Sequence, residues 1–280
     1  MKRDKRTRES PSNPDLTVQI IRIPGFNPGP MTGAGNNTFL LGGRTPTLVD
    51  AATGEAAHLS ALAQALGSDR LAQVLVTHAH QDHADGSEPI AARWPDAAFR
   101  KMPWPERDQA HAVAWKPIAD DEVVPAGDGA LRAVHTPGHA PDHLCFFDEA
   151  GGTLLSADLV VPGTTVVTPA SHGGSLSQYL ASLRRVQALA PARMLPAHGE
   201  AIDDPQAILR AYLDHRQRRE DQIVGALRAG ARRPEAIVDR LYDGLAPALR
   251  GMARESVVAH LIKLAEEGRA RSDGPEWELA

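Results

Sequence analysis

The sequence has little cysteine: Cys145 is the only one in 280 residues. A single thiol excludes a disulfide within the chain and is typical of a reducing compartment, so we expect a cytoplasmic protein. No apolar run approaches the ~18–20 residues that span a bilayer. The first fifteen residues are charged and lack the apolar core of a secretory signal. The composition therefore favours a protein that acts away from membranes.

The sequence also lacks a strong excess of one charge and a serine nucleophile motif. The 30 Lys and Arg against 35 Asp and Glu give a net charge of −5. This balance argues against a protein dominated by polyanion binding, although it leaves room for a local basic groove. No Gly-x-Ser-x-Gly motif is present. Cys145 lies in the apolar segment 144–147, which is typical of a buried strand, so we expect an inert thiol.

Histidine and aspartate are concentrated in residues 77–86, THAHQDHADG. Neutral imidazole and carboxylate are ligands that zinc prefers. His78 and His80 are two residues apart, so on an extended segment they point to the same side. Asp82 and His83 follow where the chain turns and can face a second position. The spacing predicts a loop that supplies ligands to two metals, whereas a solvated polar loop would rarely contain so many histidines.

This segment resembles the His-x-His-x-Asp-His signature of the metallo-β-lactamase superfamily. The resemblance implies further ligands downstream, each after a short apolar run, and the matching residues are His139, Asp158 and His198. It implies that one metal is bound by His78, His80 and His139. It implies that a second is bound by Asp82, His83 and His198, with Asp158 bridging the two.

The resemblance implies two Zn²⁺ ions per chain, and histidine and carboxylate ligands would also accept iron or manganese. A water between two cations about 3.5–4 Å apart loses its proton near neutral pH, so hydroxide is the predicted nucleophile. Asp82 or a metal-bound water would protonate the leaving group, which makes Asp82 the candidate catalytic residue. Lactam-cleaving members typically have a cysteine ligand on the second metal. The chain has no cysteine in such a position, so we do not expect antibiotic hydrolysis.

Asp50 and His143 are the candidates for orienting the ligand imidazoles through hydrogen bonds. A helix cap or turn residue is the alternative for Asp50, and a partly exposed strand-start residue is the alternative for His143. We expect His135 and Asp85 to be structural or to orient ligands. The loop from Pro24 to Asn37 is rich in glycine and proline and is expected to line the substrate cleft. His172 is expected in an exposed loop, with contact to substrate as the alternative, and no substrate-binding residue is assigned.

Strand and helix patterns alternate from residue 16 onward, which predicts a layered α/β protein. The resemblance implies a four-layer αββα sandwich over residues 16–225, after a disordered basic tail at 1–15. An organelle presequence or an RNA-binding arm is the alternative for that tail. Three helical segments are predicted in the C-terminal quarter, at 205–230, 234–242 and 254–267. A hairpin then turns at 272–275, so residues 226–280 resemble a winged helix.

That C-terminal unit has nine Lys and Arg and nine Asp and Glu, so its net charge is zero. A DNA-binding domain should have a basic face, so we expect no DNA partner and instead a wall beside the substrate entrance. Together with the motifs at 27–40, 179–183 and 215–223, this unit makes the chain similar to the lactamase-β-2-like subgroup. That subgroup includes thioesterases and single-strand endoribonucleases.

Three functions follow as hypotheses. The first is a dinuclear zinc hydrolase of a small ester or thioester, similar in mechanism to glyoxalase II. The second is a single-strand endoribonuclease with the same metal centre, which would need a basic cleft. Candidates for that cleft are Arg44, Arg100, Lys101, Arg216 and Arg219. The third is a non-catalytic binding module stabilised by metal. The substrate and the oligomeric state stay open.

Overall fold

Two β-sheets lie at the centre of the computed structural model, which describes residues 19–280. The first sheet has its strands in chain order: β1 (Ile20–Pro24), β2 (Asn37–Leu41), β3 (Thr47–Val49), β4 (Gln73–Leu75), β5 (Ala98–Lys101) and β6 (Trp115–Pro117). Neighbouring strands are antiparallel from β1 to β3 and parallel from β3 to β6.

The second sheet has the order β11-β10-β9-β8-β7. Its strands are β7 (Val123–Ala126), β8 (Gly129–His135), β9 (Leu144–Asp148), β10 (Thr153–Ala157) and β11 (Arg193–Pro196). Neighbours are antiparallel except β10 and β11, which are parallel. As a consequence, β8, β10 and β11 all run in the same direction. Their carboxyl ends therefore meet at one edge of the sheet.

Helices cover the outer faces of both sheets. In chain order, the α-helices among residues 19–280 are α1 (Ala56–Leu66), α2 (Gln81–Ala84), α3 (Ser87–Arg93), α4 (Pro105–Asp108), α5 (Leu176–Leu189), α6 (Pro205–Arg228), α7 (Pro234–Leu241) and α8 (Arg250–Glu266). The buried residues of α1 and α5 recur every three or four positions, which gives each helix one apolar face. Gly67 ends α1 with a positive φ of 59°, and Ser175 caps the start of α5.

Alternation along the strands divides the core into layers. Phe39 and Leu41 of β2 face the second sheet and pack with Phe146 of β9, whereas Leu40 faces α1 and packs with Leu62. Successive side chains on a strand point to opposite faces, so each sheet buries both of its faces. On the far side, the second sheet packs against α5 and α6. The order is helix, sheet, sheet, helix, and the predicted four-layer αββα sandwich is confirmed.

The C-terminal unit has a small core of its own, formed by the end of α6, by α7 and α8, and by a hairpin. The hairpin joins β12 (Ala270–Asp273) to β13 (Glu276–Leu279) through Gly274 and Pro275, as predicted. Helix α8 begins at Arg250, four residues before the predicted start. The reason is tertiary: Ala253 is buried in this core, and that packing outweighs the glycine at position 251.

Helix α6 crosses the predicted domain boundary between residues 225 and 226. Leu209 and Tyr212 belong to the core of the second sheet, whereas Ile223 and Leu227 belong to the C-terminal core. One helix is therefore shared by both cores, and the boundary itself stays a prediction. The predicted tail at 1–15 lies outside the described residues. Among residues 19–280, no helix is both long and apolar enough to cross a bilayer.

Gly86 marks a close contact between the loop after β4 and the loop after β3. A Cβ atom at this position would lie 1.9 Å from the carbonyl oxygen of Ala51. We expect Gly86→Ala to lower the free energy of unfolding by roughly 1–3 kcal/mol, since main-chain atoms must move apart. Gly225→Ala is the matched control, because nothing lies within 4 Å of its added Cβ. On a helix it should stabilise by about 0.5–1 kcal/mol. Urea unfolding of both variants measures the difference, and equal stability would contradict the contact.

Candidate metal centre

The predicted ligands follow the carboxyl ends of four strands. His78, His80, Asp82 and His83 come after β4, and the other three come after β8, β10 and β11. Because these strand ends meet at one edge of the sandwich, side chains 120 positions apart in the sequence, from 78 to 198, lie together. The structure thus brings all seven predicted ligands into one cluster.

Three imidazoles form the first group of donors. Nδ1 of His80 lies 2.9 Å from Nε2 of His78 and 2.9 Å from Nε2 of His139. All three ligand atoms lie within 4.8 Å of one another, a spacing that can hold a metal ion. His78 is fully buried.

Asp82, His83 and His198 form the second group. Oδ2 of Asp82 lies 3.5 Å from Nε2 of His83 and 3.3 Å from Nε2 of His198. Asp158 lies between the two groups. Its Oδ1 is 3.3 Å from Nε2 of His198, and its Oδ2 is 3.4 Å from Nε2 of His139. One carboxylate therefore faces both groups, with one oxygen toward each.

Asp50 holds the ligand loop from behind. Its Oδ1 accepts a hydrogen bond from the backbone N–H of Thr77 at 2.8 Å, and its Oδ2 accepts one from Nδ1 of His83 at 2.8 Å. Thr77 Oγ1 also donates to Asp50 and lies 3.1 Å from Nδ1 of His78. These bonds occupy the outward nitrogens of two imidazoles, so their Nε2 atoms face the cluster. Asp50 itself has a φ of +65°, a strained conformation that aspartate tolerates better than most residues.

His143 acts on the main chain of Asp158. Its Nε2 accepts from the backbone N–H of Asp158 at 3.2 Å, and its Nδ1 donates to Oγ1 of Thr136 at 2.8 Å. Burial is the main cause that lowers the pKa of His143 well below its ordinary value, so the ring is neutral and can accept. His143 therefore contacts a predicted ligand without belonging to either donor group.

Asn36 is a site residue that the sequence did not single out. Its Nδ2 donates to Oδ2 of Asp82 at 3.1 Å, and Asn27 fixes it with bonds of 2.6 and 2.9 Å. The next residue, Asn37, donates to the carbonyls of Pro196 and Gly199, on either side of His198. The predicted cleft loop thus reaches both Asp82 and the His198 segment. Two signals were available: these asparagines lie in a loop expected to line the cleft, and they belong to the motif at 27–40.

The electrostatics of the cluster favour bound positive charge. Burial by itself lowers the pKa of His83, but the carboxylates of Asp82, Asp50 and Asp158 outweigh it and raise that pKa well above its ordinary value. Burial and the imidazole of His139 lower the pKa of His80 to about 3. Nε2 of His83 and Oδ1 of Asp158 are buried without a hydrogen-bond partner. Buried carboxylates beside imidazoles are the donor set of a metal site.

The centre opens to solvent on one side. His80 is partly exposed, and the side chain of Asp82 is 25% exposed, against 13% for Asp158. Burial raises the pKa of Asp82, but the charge of His83 and a hydrogen bond with His198 outweigh it and lower the pKa below its ordinary value. Asp82 is therefore an ionised carboxylate at the accessible side of the cluster.

Other residues considered from the sequence lie apart from the cluster. Nε2 of His135 bonds to the carbonyl of Pro141, and Asp85 lies near His111. His172 is exposed and contacts Ser171. Cys145 is fully buried, and burial raises the pKa of its thiol to about 12, so it is not a nucleophile.

Comparison with protein families agrees with this architecture. Residues 31–198 match the family model described as Metallo-beta-lactamase superfamily, and residues 234–277 match the one described as Beta-lactamase associated winged helix domain. Lactamase-like protein adaB of Aspergillus niger is 31% identical over 94% of this chain and 86% of its own length.

Two further relatives differ in their names. Atrochrysone carboxyl ACP thioesterase of Aspergillus fumigatus is 32% identical over 83% of this chain and 73% of its own length. Beta-lactamase-like protein 2 homolog of Caenorhabditis elegans is 32% identical over 90% of this chain and 86% of its own length.

Solved structures share the fold. A metallo-beta-lactamase family protein of Thermus thermophilus has a TM-score of 0.77 at 22% identity, over 93% of this chain and 98% of that one. TTHA1623, solved in a di-iron-bound form, has a TM-score of 0.54 at 26% identity, over 64% of this chain and 93% of that one. The predicted resemblance, including the winged-helix unit, is confirmed.

Asp50 should control metal affinity through His83 and Thr77. We expect Asp50→Asn to weaken zinc binding by about 10–100-fold, the usual loss when a group that orients a metal-binding histidine is removed. Competition with a chromophoric chelator measures the affinity. Asp85→Asn is the matched control, because that carboxylate follows the same loop but contacts His111 instead. Wild-type affinity in Asp50→Asn would contradict the assignment.

Proposed function

The chain belongs to the metallo-beta-lactamase superfamily, and from this premise we propose that it is a dinuclear zinc-dependent hydrolase of a small ester or thioester. The observation that carries the proposal is the cluster of seven donors in which one carboxylate, Asp158, faces both imidazole groups. In the proposal, His78, His80 and His139 hold one ion, Asp82, His83 and His198 hold the other, and Asp158 bridges them.

When bound, two such cations would ionise a water near neutral pH and polarise the carbonyl group under attack. The residues around them keep the donors in place. Asp50 and Thr77 hold the outward nitrogens of His83 and His78, and His143 holds the main chain of Asp158. These hydrogen bonds already exist in the folded chain, so the donors need not be rearranged during the reaction. Groups held in place in this way stabilise the charge of the transition state without a cost of reorganisation.

Asp82 is the proposed proton carrier. Its carboxylate is the more exposed of the two in the cluster, and Asn36 orients it. Because its pKa is lowered, Asp82 is ionised in the resting protein and must first accept a proton before it can protonate a leaving group. In the proposal, that proton would be the one released when the cations ionise the water.

The named thioesterase among the relatives supports a thioester substrate. The contacts of the basic residues favour the same choice. Of the five candidates for an RNA-binding cleft, Arg44 pairs with Asp128 and Arg100 pairs with Glu122. Lys101 and Arg216 are buried, and Arg219 stacks on Tyr242. Residues engaged in this way are poor contacts for phosphates, so these contacts support a small substrate over single-stranded RNA.

Zinc is the proposed metal because imidazole and carboxylate are among its preferred ligands. The di-iron form of TTHA1623 keeps iron as the alternative, and elemental analysis of the purified protein distinguishes the two. A non-catalytic module stabilised by metal is the weaker proposal, since Asp82 is accessible to solvent and a purely structural site is normally closed.

A substrate panel tests the proposal. Zinc-loaded protein should hydrolyse at least one member of a set of acyl thioesters and esters, and chelation should abolish the activity. His80→Ala should lower kcat/KM by about 10³-fold or more, since it removes a metal ligand and with it the ionised water. His172→Ala is the matched control, because that histidine is exposed and bonded to Ser171.

Other results would change the conclusion. Cleavage of single-stranded RNA that is lost in His80→Ala, with every thioester untouched, would establish the nuclease instead. Zinc-loaded protein that cleaves no ester, thioester, lactone or phosphodiester would favour the binding module.

A further inference from the structure

Arg216 is a buried arginine of α6 that has no carboxylate partner among residues 19–280. It is 3% exposed. Its Nη2 donates to the carbonyl of Val166, and its guanidinium carbon lies 5.3 Å from the ring centroid of Tyr179. Burying a guanidinium is costly unless its hydrogen-bonding capacity is used. The two groups that Arg216 contacts therefore indicate what it does.

Val166 precedes a residue that contacts a predicted metal ligand, His139. The next carbonyl along the chain, that of Val167, accepts a hydrogen bond from Nδ1 of His139 at 2.7 Å. A carbonyl can only accept, so this bond keeps Nδ1 protonated and leaves the lone pair of Nε2 facing the cluster. The Val166 carbonyl lies in the planar peptide unit that ends at the Cα of Val167, so holding it restrains the atom from which the Val167 carbonyl projects.

The backbone of Tyr179 packs against Gly138, the residue before the same predicted ligand. Gly138, directly before His139, has a φ of +133°, and a Cβ there would lie 2.4 Å from the backbone nitrogen of Tyr179. The backbone N–H of Ser175 also donates to the Gly138 carbonyl at 2.9 Å. The start of α5 thus holds the backbone of His139, while the Val167 carbonyl holds its ring. Arg216 contacts the carbonyl next to Val167 and the ring of Tyr179 at the start of α5.

From this arrangement we propose that Arg216 is a positioning residue for His139. It ties the Val166 segment to Tyr179 so that His139 presents Nε2 to the metal centre in a single tautomer. The inference rests on the proposed metal centre. One turn further along α6, Glu220 is buried and pairs with Lys263 at 2.6 Å and Arg269 at 2.5 Å, both in the C-terminal unit. The same face of α6 thus links that unit to the loop that orients His139.

Arg216→Met in the full chain tests the proposal, because methionine fills much of the same space without a hydrogen-bond donor. We expect the affinity of one zinc equivalent to fall about tenfold, the low end of the range for groups that orient a metal-binding histidine. Chelator competition with zinc alone is the measurement. Arg219→Met is the matched control, because Arg219 lies on the same helix and stacks on Tyr242 but does not reach the ligand loop. Arg216→Lys keeps a charged donor and should recover part of the affinity.

A second measurement follows the hydrogen bond itself. The proton on Nδ1 of His139, which donates to the Val167 carbonyl, should exchange slowly with solvent in the wild-type chain. Long-range nitrogen–proton NMR spectra of the histidine side chains should show it, with the signal assigned by its loss in His139→Gln. In Arg216→Met the signal should broaden or disappear. Its absence from the wild-type chain would overturn the proposal even if the Met variant does not fold.

The remaining outcomes distinguish a failure of the proposed role of Arg216 from a failure of the proposed function. The role of Arg216 alone would be overturned if Arg216→Met binds zinc within twofold of the wild-type affinity. It would also be overturned if Arg219→Met loses as much zinc affinity as Arg216→Met. A wild-type chain that binds no zinc would overturn the proposed function and this inference together.

Discussion

The close approach of imidazole nitrogens and carboxylate oxygens at one edge of the sandwich is the constraint on which the other features depend. Nδ1 of His80 lies 2.9 Å from a nitrogen of each of two other histidines, and Asp158 contacts the second group as well. Buried polar atoms that face each other at this spacing are costly unless protons or cations neutralise them. The raised pKa of His83, caused by three carboxylates, expresses the same demand for positive charge.

The sandwich brings these polar atoms together because the ends of several strands lie at one edge. Strands β8, β10 and β11 run in one direction, so the loops that follow them emerge at the same edge as the loop after β4. The core between the sheets is apolar and fixes their relative position. Loops can then present polar side chains without contributing to the core, which is why function is commonly concentrated in loops on a rigid scaffold.

A layer of hydrogen bonds lies behind the predicted ligands, and its side chains come from several different elements. Asp50 comes from the end of β3, Asn36 from the loop before β2, and His143 from the segment before β9. Helix α6 extends this support outward. Its first half packs on the second sheet, and its second half belongs to the core of the C-terminal unit. That unit is electrically balanced and contacts the turn at Ala170–His172 through Glu255, which fits a structural wall better than a nucleic-acid reader.

Sequence patterns alone predicted which residue types would form the metal centre, their order along the chain and the elements that precede them. Helix α6 and the hairpin were also predicted, because apolar periodicity, caps and turn residues are local properties. Asp50 could be suggested because it follows an apolar strand at a place where members of the superfamily also have an aspartate. The tertiary structure alone decided which oxygen of Asp158 faces which group, and that Asn36 reaches Asp82. It also decided that Val167 orients His139 and that Arg216 holds the neighbouring carbonyl. These contacts join residues far apart in the chain, and two of them run through backbone carbonyls. Every residue has a backbone carbonyl, so no side-chain pattern can indicate which one will be used.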